Sequence, residues 1–343
     1  MKTASEAIDN FIGLCMNCEN SAHNSDTRGE EMNFFHSVRD TAKSTVIESD
    51  CRYFSPDWSS DEWPLTWIEG DLLNQATKLS LISGGIVKLS SGPSFSKLKV
   101  ALLCDNKKMR CISANIISSM EQLRVLDLNK CISLTGIPDT IGNLGSLELL
   151  DLSRCINLIP VPWSIGRLKN LKCLPMSGCS TLIHLPESLG KVSQLETLDL
   201  SMCARLRALP QSIGFLSSLQ HLNLFSCCSL HHLPTSIALL KELTFLVLSG
   251  CINLSCPLPW IDQIKIVTGW QEARTMAIPI DCWKLGQLEF LHLCSLKKIT
   301  YLPQLVGKLQ HLRHLNLSNC RSLEFLPNDI GSLFLLEKVD LSH

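Results

Sequence analysis

LETLDLSMCARLRALPQSIGFLSS, residues 195–218, contains the pattern that decides the fold of this chain. The shared form is LxxLxLxxCxxLxxLPxxIGxLxx, and its copies follow one another every 24 residues in two runs. The first run opens at Leu123, Leu147, Leu171, Leu195, Leu219 and Leu243, and the second at Leu288, Leu312 and Leu336. Since a fixed period of about 20–50 residues is the signature of stacked repeats, we predict a solenoid. Positions within a copy are numbered from its opening leucine.

Each part of the pattern predicts one part of a structural unit. LxxLxL predicts a short strand whose leucines point inward, so that successive strands stack into a parallel sheet. Pro210 has a fixed φ and no N–H, and therefore turns the chain out of the strand. The segment QSIGFLSS that follows predicts a short helical or 3₁₀ return on the convex side. The predicted fold class is α/β, a leucine-rich-repeat solenoid shaped as a curved horseshoe with its sheet on the concave face.

The period divides the chain into two predicted regions. Residues 1–75 show no repeat, and their Ser, Asp and Asn content predicts a poorly ordered leader. Residues 76–343 form the predicted repeat domain, with irregular repeats over 76–122 and regular repeats over 123–254 and 288–343. Residues 255–287 lose the period, and we interpret them as one degenerate repeat or insertion. Because the last copy stops partway without a polar cap, we expect the chain to be a piece or a truncated form of a longer protein.

Composition and charge favour an ordered, cytoplasmic protein. Hydrophobic residues make up 45% of the 343 residues, and 31 basic residues nearly balance 32 acidic ones. No basic stripe stands out in the linear sequence, so we expect neither a nucleic acid nor an anionic membrane surface as a partner. Asp9 interrupts the only apolar run near the start, and no stretch approaches the roughly 20 apolar residues that span a bilayer.

Seven of the 17 cysteines share position 9. They are Cys131, Cys155, Cys179, Cys203, Cys227, Cys251 and Cys320. We expect these thiols to be reduced and buried, bonding the turn backbone as Asn or Cys does in many leucine-rich repeats. A catalytic or metal role is the alternative, but thiols one strand apart with one orientation suit neither a disulfide nor zinc. Cys15 and Cys18, with His23, form a CxxC without a second pair. We therefore expect no metal, no cofactor and no catalytic residue.

Strand positions 3 and 5 predict the surface that faces a partner. Position 5 carries Asp127, Asp151 and Asp199, which predicts an acidic N-terminal half of the concave face. Further along we predict an exposed patch that binds the partner: Phe225, Phe245, Val247 and Phe290, flanked by His221, His292 and His314. Exposed aromatic side chains on a rigid surface are typical of protein interfaces. The alternative is that residues 255–277 fold over the patch and bury it.

Three stretches resemble plant nucleotide-binding leucine-rich-repeat disease-resistance proteins of the coiled-coil class, in their C-terminal portion. CISANIISSMEQLRVLDLNKC (111–131) resembles the entry into their regular repeats, and ATKLSLISGGIVKLS (76–90) resembles their first degenerate repeat. FFHSVRDTAK (34–43) resembles the histidine motif, Met-His-Asp, that closes their nucleotide-binding module. Only His36 of that triplet matches, and the chain contains no GxxxxGK[ST] phosphate loop. The N-terminal region is thus interpreted as a remnant of that module's end, without nucleotide binding.

The resemblance implies a non-catalytic binding scaffold in an intracellular immune receptor. Its partner would be a pathogen effector, a guarded host protein or the nucleotide-binding module of a full-length receptor. One alternative is the ectodomain of a cell-surface receptor, since LTGIPDTIGNLGSLELLDLS (134–153) resembles that class; glycans at Asn253 or Asn316 would favour it. The other is a substrate-selecting subunit of a ubiquitin ligase, which would need an F-box-like bundle in residues 1–70.

Overall fold

The computed structural model describes residues 76–82, 85–89, 95–254, 282 and 284–342. The predicted leader, with Cys15, Cys18 and His36, lies outside the described residues. So do residues 255–281, which make up most of the stretch over 255–287 in which the period is lost.

A parallel sheet is the main element of the described residues. Its eleven strands are arranged in the order β1-β3-β5-β6-β7-β8-β9-β10-β11-β12-β13. They are β1 (Lys78–Ser80), β3 (Val100–Leu102), β5 (Val125–Asp127), β6 (Leu149–Asp151), β7 (Cys173–Pro175), β8 (Thr197–Asp199), β9 (His221–Asn223), β10 (Phe245–Val247), β11 (Phe290–His292), β12 (His314–Asn316) and β13 (Lys338–Asp340). A second pair, β2 (Lys88–Leu89) and β4 (Cys111–Ile112), precedes helix α1 (Ala114–Ser119). The predicted solenoid is confirmed.

The repeated leucines form one continuous core behind the sheet. Leu195, Leu198 and Leu200 are each fully buried, and the equivalent leucines of neighbouring repeats join the same cluster. Five-residue 3₁₀ helices form the other side, as the motif predicts. They are Asp139–Asn143, Trp163–Arg167, Glu187–Lys191, Gln211–Phe215, Thr235–Leu239, Gln304–Lys308 and Asn328–Ser332. Each begins directly after a proline in an extended conformation, with ψ of 150° at Pro210 for example, and the fixed φ of proline holds the chain at this turn.

The interval between Leu243 and Leu288 adds no strand to the sheet. β10 pairs directly with β11, with Phe245 opposite Phe290 and Val247 opposite His292. The turn after β10 is bonded to the same neighbour, because the Leu248 N–H donates to the carbonyl of His292 at 2.8 Å. Phe245 and Phe290 are therefore neighbours in space although 45 residues separate them in sequence.

A polar side chain at position 5 caps the turn after most strands. The Asp199 Oδ1 accepts the backbone N–H of Ser201 at 2.9 Å, and Asn223 does the same for Phe225 at 2.9 Å. Position 8 then takes a left-handed φ, which is 58° at Met202. Where position 5 is Pro175 or Val247 and cannot cap, position 8 is Gly178 or Gly250, with φ of 74° and 73°. Glycine adopts this region without steric cost, so it replaces the missing cap.

Neighbouring repeats touch backbone to backbone on the convex side. The glycine at position 20 lies against the serine at position 18 of the next repeat. A Cβ on Gly142, Gly166, Gly190 or Gly214 would lie 2.2–2.7 Å from the carbonyl oxygen of that serine. Real Cβ atoms do not approach so closely, so the stacking distance of the helices depends on these glycines.

Candidate functional site

A row of aromatic rings crosses four neighbouring strands on the face of the sheet opposite the core, here called the sheet face. The rings belong to position 3 of β9–β12: His221, Phe245, Phe290 and His314. The ring centroid of Phe245 lies 6.1 Å from that of His221 and 5.6 Å from that of Phe290. The rings of Phe290 and His314 are stacked, with 4.8 Å between centroids and 11° between planes. All four side chains are half-buried. We call these four residues the aromatic row.

The aromatic row begins where small side chains give way to rings. Position 3 of the preceding strands carries Val125, Leu149, Cys173 and Thr197, each at most 8% exposed. These short side chains fill the space between strands and leave little for a partner to contact. Rings reach further from the sheet, and a ring presents a large rigid surface at low entropic cost. The described sheet face therefore offers aromatic contact area from β9 onward.

Charged side chains border the C-terminal part of the aromatic row at position 2. The Arg313 guanidinium lies 2.7 Å from the Glu337 carboxylate and 3.5 Å from that of Glu289. His314 Nε2 lies 3.8 Å from the second oxygen of Glu337. His292, at position 5, contacts the Phe245 ring at 5.5 Å and borders the row on its other side. The arrangement is an apolar strip with a polar rim, which is the anatomy of a protein interface.

Three of the seven predicted partner-binding residues, Phe225, Val247 and His292, lie outside the aromatic row. Phe225 is half-buried at position 7, on the turn after β9. The predicted exposure of Val247 is wrong, because its side chain is only 1% exposed. Position 5 side chains are enclosed by those of the adjacent strands, here Asn223 and His292. Val247 is therefore part of the packing beneath the surface.

The predicted acidic surface in the N-terminal half is also wrong. Asp127, Asp151 and Asp199 are 1–2% exposed. Their Oδ1 atoms accept backbone N–H groups two residues ahead at 2.8–2.9 Å. A short carboxylate bonds its own turn backbone readily, which the alternation of strand residues does not reveal. These aspartates stabilise turns and do not face a partner.

Burial also sets the charge at the N-terminal end of the aromatic row. It lowers the pKa of His221 to about 4, so this imidazole is neutral near pH 7. The Nδ1 atom of His221 is buried without a hydrogen-bond partner. Nearby at position 2, burial raises the pKa of Glu196. The row consequently begins with a neutral imidazole and carries its ionic rim at the other end.

The cysteines of position 9 form a ladder of equivalent hydrogen bonds. Each Sγ–H donates to the carbonyl at position 6 of the preceding repeat, for example Cys203 to Met176 at 3.3 Å and Cys227 to Leu200 at 3.1 Å. All seven are at most 2% exposed. Asn106 occupies the same position one repeat before Cys131, and its Nδ2 donates to the carbonyl of Leu81 in the preceding repeat at 2.7 Å. The irregular spacing around it hid Asn106 from the sequence pattern.

We expect the ladder thiols to resist alkylation in the native protein. Burial raises the pKa of Cys131, Cys203 and Cys251 to about 12, and the thiolate is the reactive form. Iodoacetamide labelling followed by mass spectrometry should modify the exposed Cys111 before any ladder cysteine. The ladder cysteines should label only on unfolding. Labelling of Cys203 as fast as that of Cys111 would contradict this packing.

Among the described residues, no group of three or more His, Cys, Asp or Glu side chains could hold a metal ion. None of the helices in these residues has the length and apolarity that a bilayer-spanning segment requires.

Comparison with known proteins finds leucine-rich repeats over two parts of the chain. Residues 75–205 match the family described as a leucine-rich repeat region, and residues 311–333 match the single Leucine Rich Repeat. A probable disease resistance protein of Arabidopsis thaliana is 35% identical over 68 residues. That match covers 20% of this chain and only 8% of the length of the relative.

Two solved structures share the fold. A TDR receptor is 19% identical, with a TM-score of 0.53, and the match covers 79% of this chain and 44% of that one. The leucine-rich repeat domain of the type III effector XopL is 20% identical, with a TM-score of 0.51, over 85% of this chain and 96% of that one. Such folds typically serve as scaffolds for protein interaction. The parallel sheet, the 3₁₀ helices and these matches establish a leucine-rich-repeat solenoid as the fold of the described residues.

Proposed function

We propose that the chain is the recognition and autoregulatory leucine-rich-repeat region of an intracellular plant immune receptor, acting in the cytoplasm without catalysis. Its partner would be a pathogen effector, a guarded host protein or the nucleotide-binding module of a full-length receptor. The similarity to a probable disease resistance protein supports the plant immune role. The observation that carries the binding role is the aromatic row, four half-buried rings in contact on neighbouring strands.

The geometry of the aromatic row supports protein binding more than internal packing. A ring that served only the core would be fully buried, as Phe95 is. Here each ring keeps part of its surface in solvent while its position is fixed by its neighbours and by the sheet. Such pre-organised aromatic side chains lose little entropy on binding, and they are frequent hot spots of interfaces.

Alanine at both Phe245 and Phe290 is expected to abolish capture of a specific partner. The tagged chain would be expressed in plant cells, and the proteins purified with it identified by mass spectrometry. The matched control is the double variant Phe215→Ala/Phe334→Ala, which removes two rings that are 65% and 86% exposed elsewhere on the chain. The wild type and the control should retain the partner, and the Phe245→Ala/Phe290→Ala variant should lose it. An identical set of proteins on all three chains, or a large fall in the melting temperature of the Phe245→Ala/Phe290→Ala variant, would overturn the proposed role of the row.

The buried state of Asn316 bears on the receptor-ectodomain alternative. Asn316 is 5% exposed, and its Oδ1 accepts both the backbone N–H and the hydroxyl of Ser318, at 2.9 and 2.8 Å. A glycan on this side chain would break the cap and could not be accommodated between strands. The sequon at Asn316 is therefore explained by the turn, and it gives no support to secretion.

A further inference from the structure

The fold gathers basic residues that the linear sequence keeps apart. Positions 7–14 form the turns that follow the strands, and in a parallel sheet all such turns lie along one edge. In the nine repeats that open at Leu98 to Leu312, these positions carry two acidic residues, Asp105 and Glu324, and ten basic ones. The basic residues are Lys107, Lys108, Arg110, Lys130, Arg154, Arg205, Arg207, Lys297, Lys298 and Arg321. We call this surface the turn edge.

The strands of the same repeats show no such excess. Positions 2–5 carry four basic and six acidic residues, but Asp127, Asp151 and Asp199 are buried, so the accessible charges of the strands nearly balance. The basic excess belongs to the turn edge, although the whole chain has a net charge of only −1. The linear sequence does not reveal it, because residues about 24 apart in sequence become neighbours in the solenoid.

The turn edge is a continuous surface. The N–H of His231 donates to the carbonyl of Arg207 at 3.2 Å, and that of Arg207 donates to Ile183 at 3.1 Å. Side chains join the turns as well, since Asn157 Nδ2 donates to the Ile132 carbonyl at 2.8 Å. Adjacent turns are thus bonded directly, about one strand spacing of 4.8 Å apart. Basic residues on adjacent turns, such as Lys130 and Arg154, are therefore neighbours, while the turns of the repeats that open at Leu171, Leu219 and Leu243 carry no Lys or Arg.

The centre of the turn edge carries two arginines on one turn and no acidic residue. Arg205 and Arg207 lie on one turn, between His184 on the preceding turn and His231 and His232 on the next. All five side chains are exposed. No acidic residue occupies positions 7–14 of these three repeats, all of which lie in the described part of the chain. An anionic partner would therefore meet no negatively charged side chain on these turns.

Exposed aliphatic and aromatic side chains are interleaved with the basic ones. Ile156 and Ile159 are 39% and 47% exposed, and Met202 is 42% exposed beside Arg205. Ile252 and Phe325, at 39% and 50%, continue the same edge toward the C-terminal repeats. An interaction with phosphates alone would gain nothing from isoleucine and methionine. Both kinds of side chain stabilise binding at a bilayer interface, because apolar groups enter the acyl boundary while Lys and Arg contact anionic headgroups.

We propose that the turn edge docks on a bilayer surface rich in anionic lipid, which leaves the sheet face and its aromatic row free. The contact is peripheral: cationic side chains lie at the headgroups, and the exposed isoleucine, methionine and phenylalanine side chains insert among them. Since the attraction is electrostatic in large part, it weakens as salt rises. The inference does not depend on the identity of any protein partner.

Vesicle co-sedimentation of the full chain tests this docking. Vesicles of equal parts phosphatidylserine and phosphatidylcholine should sediment the chain at low salt, and vesicles of phosphatidylcholine alone should not. Arg205→Glu/Arg207→Glu should weaken binding about tenfold or more, because two attractive charges become repulsive. The matched control is Arg167→Glu/Lys169→Glu, which makes the same charge change at exposed residues outside the turn edge. Circular dichroism would verify that both variants remain folded.

One further variant and two competing probes separate the outcomes. Met202→Ser should reduce vesicle binding without changing charge, which adsorption of a merely cationic chain would not show. Absence of binding to phosphatidylserine vesicles, or equal loss in the Arg167→Glu/Lys169→Glu control, would overturn the proposal. A third outcome would also overturn it. In that outcome the chain binds a single-stranded oligonucleotide or polyglutamate, Arg205→Glu/Arg207→Glu weakens that binding, and no binding to vesicles is detected.

Discussion

Gly190→Ala is expected to destabilise the array by about 2–3 kcal/mol or more, the upper part of the range for overpacking a closed interior. The added Cβ would lie 2.3 Å from the carbonyl oxygen of Ser212 and 2.6 Å from its Cβ. Both atoms belong to the neighbouring repeat and are held by its backbone, so no flexible side chain can move aside. The 3₁₀ helices Glu187–Lys191 and Gln211–Phe215 must move apart. Their separation weakens the apolar contacts behind them and the hydrogen bonds that the N–H groups of Gln211 and Ser212 donate to Glu187. Thermal and urea unfolding, followed by circular dichroism, measure the loss.

Gly331→Ala is the matched control for this prediction. Gly331 occupies the same position 20 in the repeat that opens at Leu312, but a Cβ there would have nothing within 4 Å. The substitution therefore tests the change in backbone freedom without the steric contact, and it should be neutral or slightly stabilising. Equal losses at Gly190 and Gly331 would mean that helix stacking is not what the glycine serves.

Asp199→Asn is expected to stabilise the protein at pH 7, on the order of 2 kcal/mol. Burial raises the pKa of Asp199 to about 6 even though Ser201 donates to its carboxylate. Ionising this group in the folded state therefore costs more than in the unfolded chain. Asparagine keeps the Oδ1 acceptor without the charge, and Asn223 already fills the equivalent place in the next repeat at 3% exposure. Asp199→Ala removes the acceptor and should destabilise instead.

The advantage of Asp199→Asn should depend on pH in one direction. A raised pKa in the folded state means that the folded chain retains its proton where the unfolded chain has lost it. The wild type thus loses stability as pH rises between about 4 and 6, while the variant does not through this group. The difference in unfolding free energy should be largest above pH 6 and should vanish below pH 4. The reciprocal change, Asn223→Asp, should show the opposite sign, and a difference independent of pH would contradict the assigned cause.

The positions of the core could be predicted from the sequence because they repeat. Leu198 and Leu200 recur with a constant spacing, and only inward-facing side chains need to be constant from repeat to repeat. The same holds for Pro210, which precedes a 3₁₀ helix, and for Cys203, whose position 9 marks the turn. A regular period shows which residues are equivalent, and equivalent residues of a solenoid occupy the same place in successive repeats.

Surface assignments were less predictable, because alternation along a strand does not measure exposure. Asp199 and Val247 alternate outward from the core, yet neighbouring strands and the following turn enclose them both. The contact between Phe245 and Phe290 follows from the direct pairing of β10 with β11, which the 45-residue interval conceals. The sequence did not predict the turn edge, because the net charge of the chain sums over all of its faces, and only the fold shows which charged residues share one face.

Equilibrium titration of a recovered partner protein against three chains tests the binding account most directly. The chains are the wild type, Phe245→Ala/Phe290→Ala and the control Phe215→Ala/Phe334→Ala. We predict that the first double variant raises the Kd at least about tenfold, since hot-spot aromatic residues contribute 2 kcal/mol or more each, while the control binds like the wild type. Unchanged affinity in the Phe245→Ala/Phe290→Ala chain, with its fold intact, would contradict the assignment of the aromatic row as the site where this scaffold binds its partner.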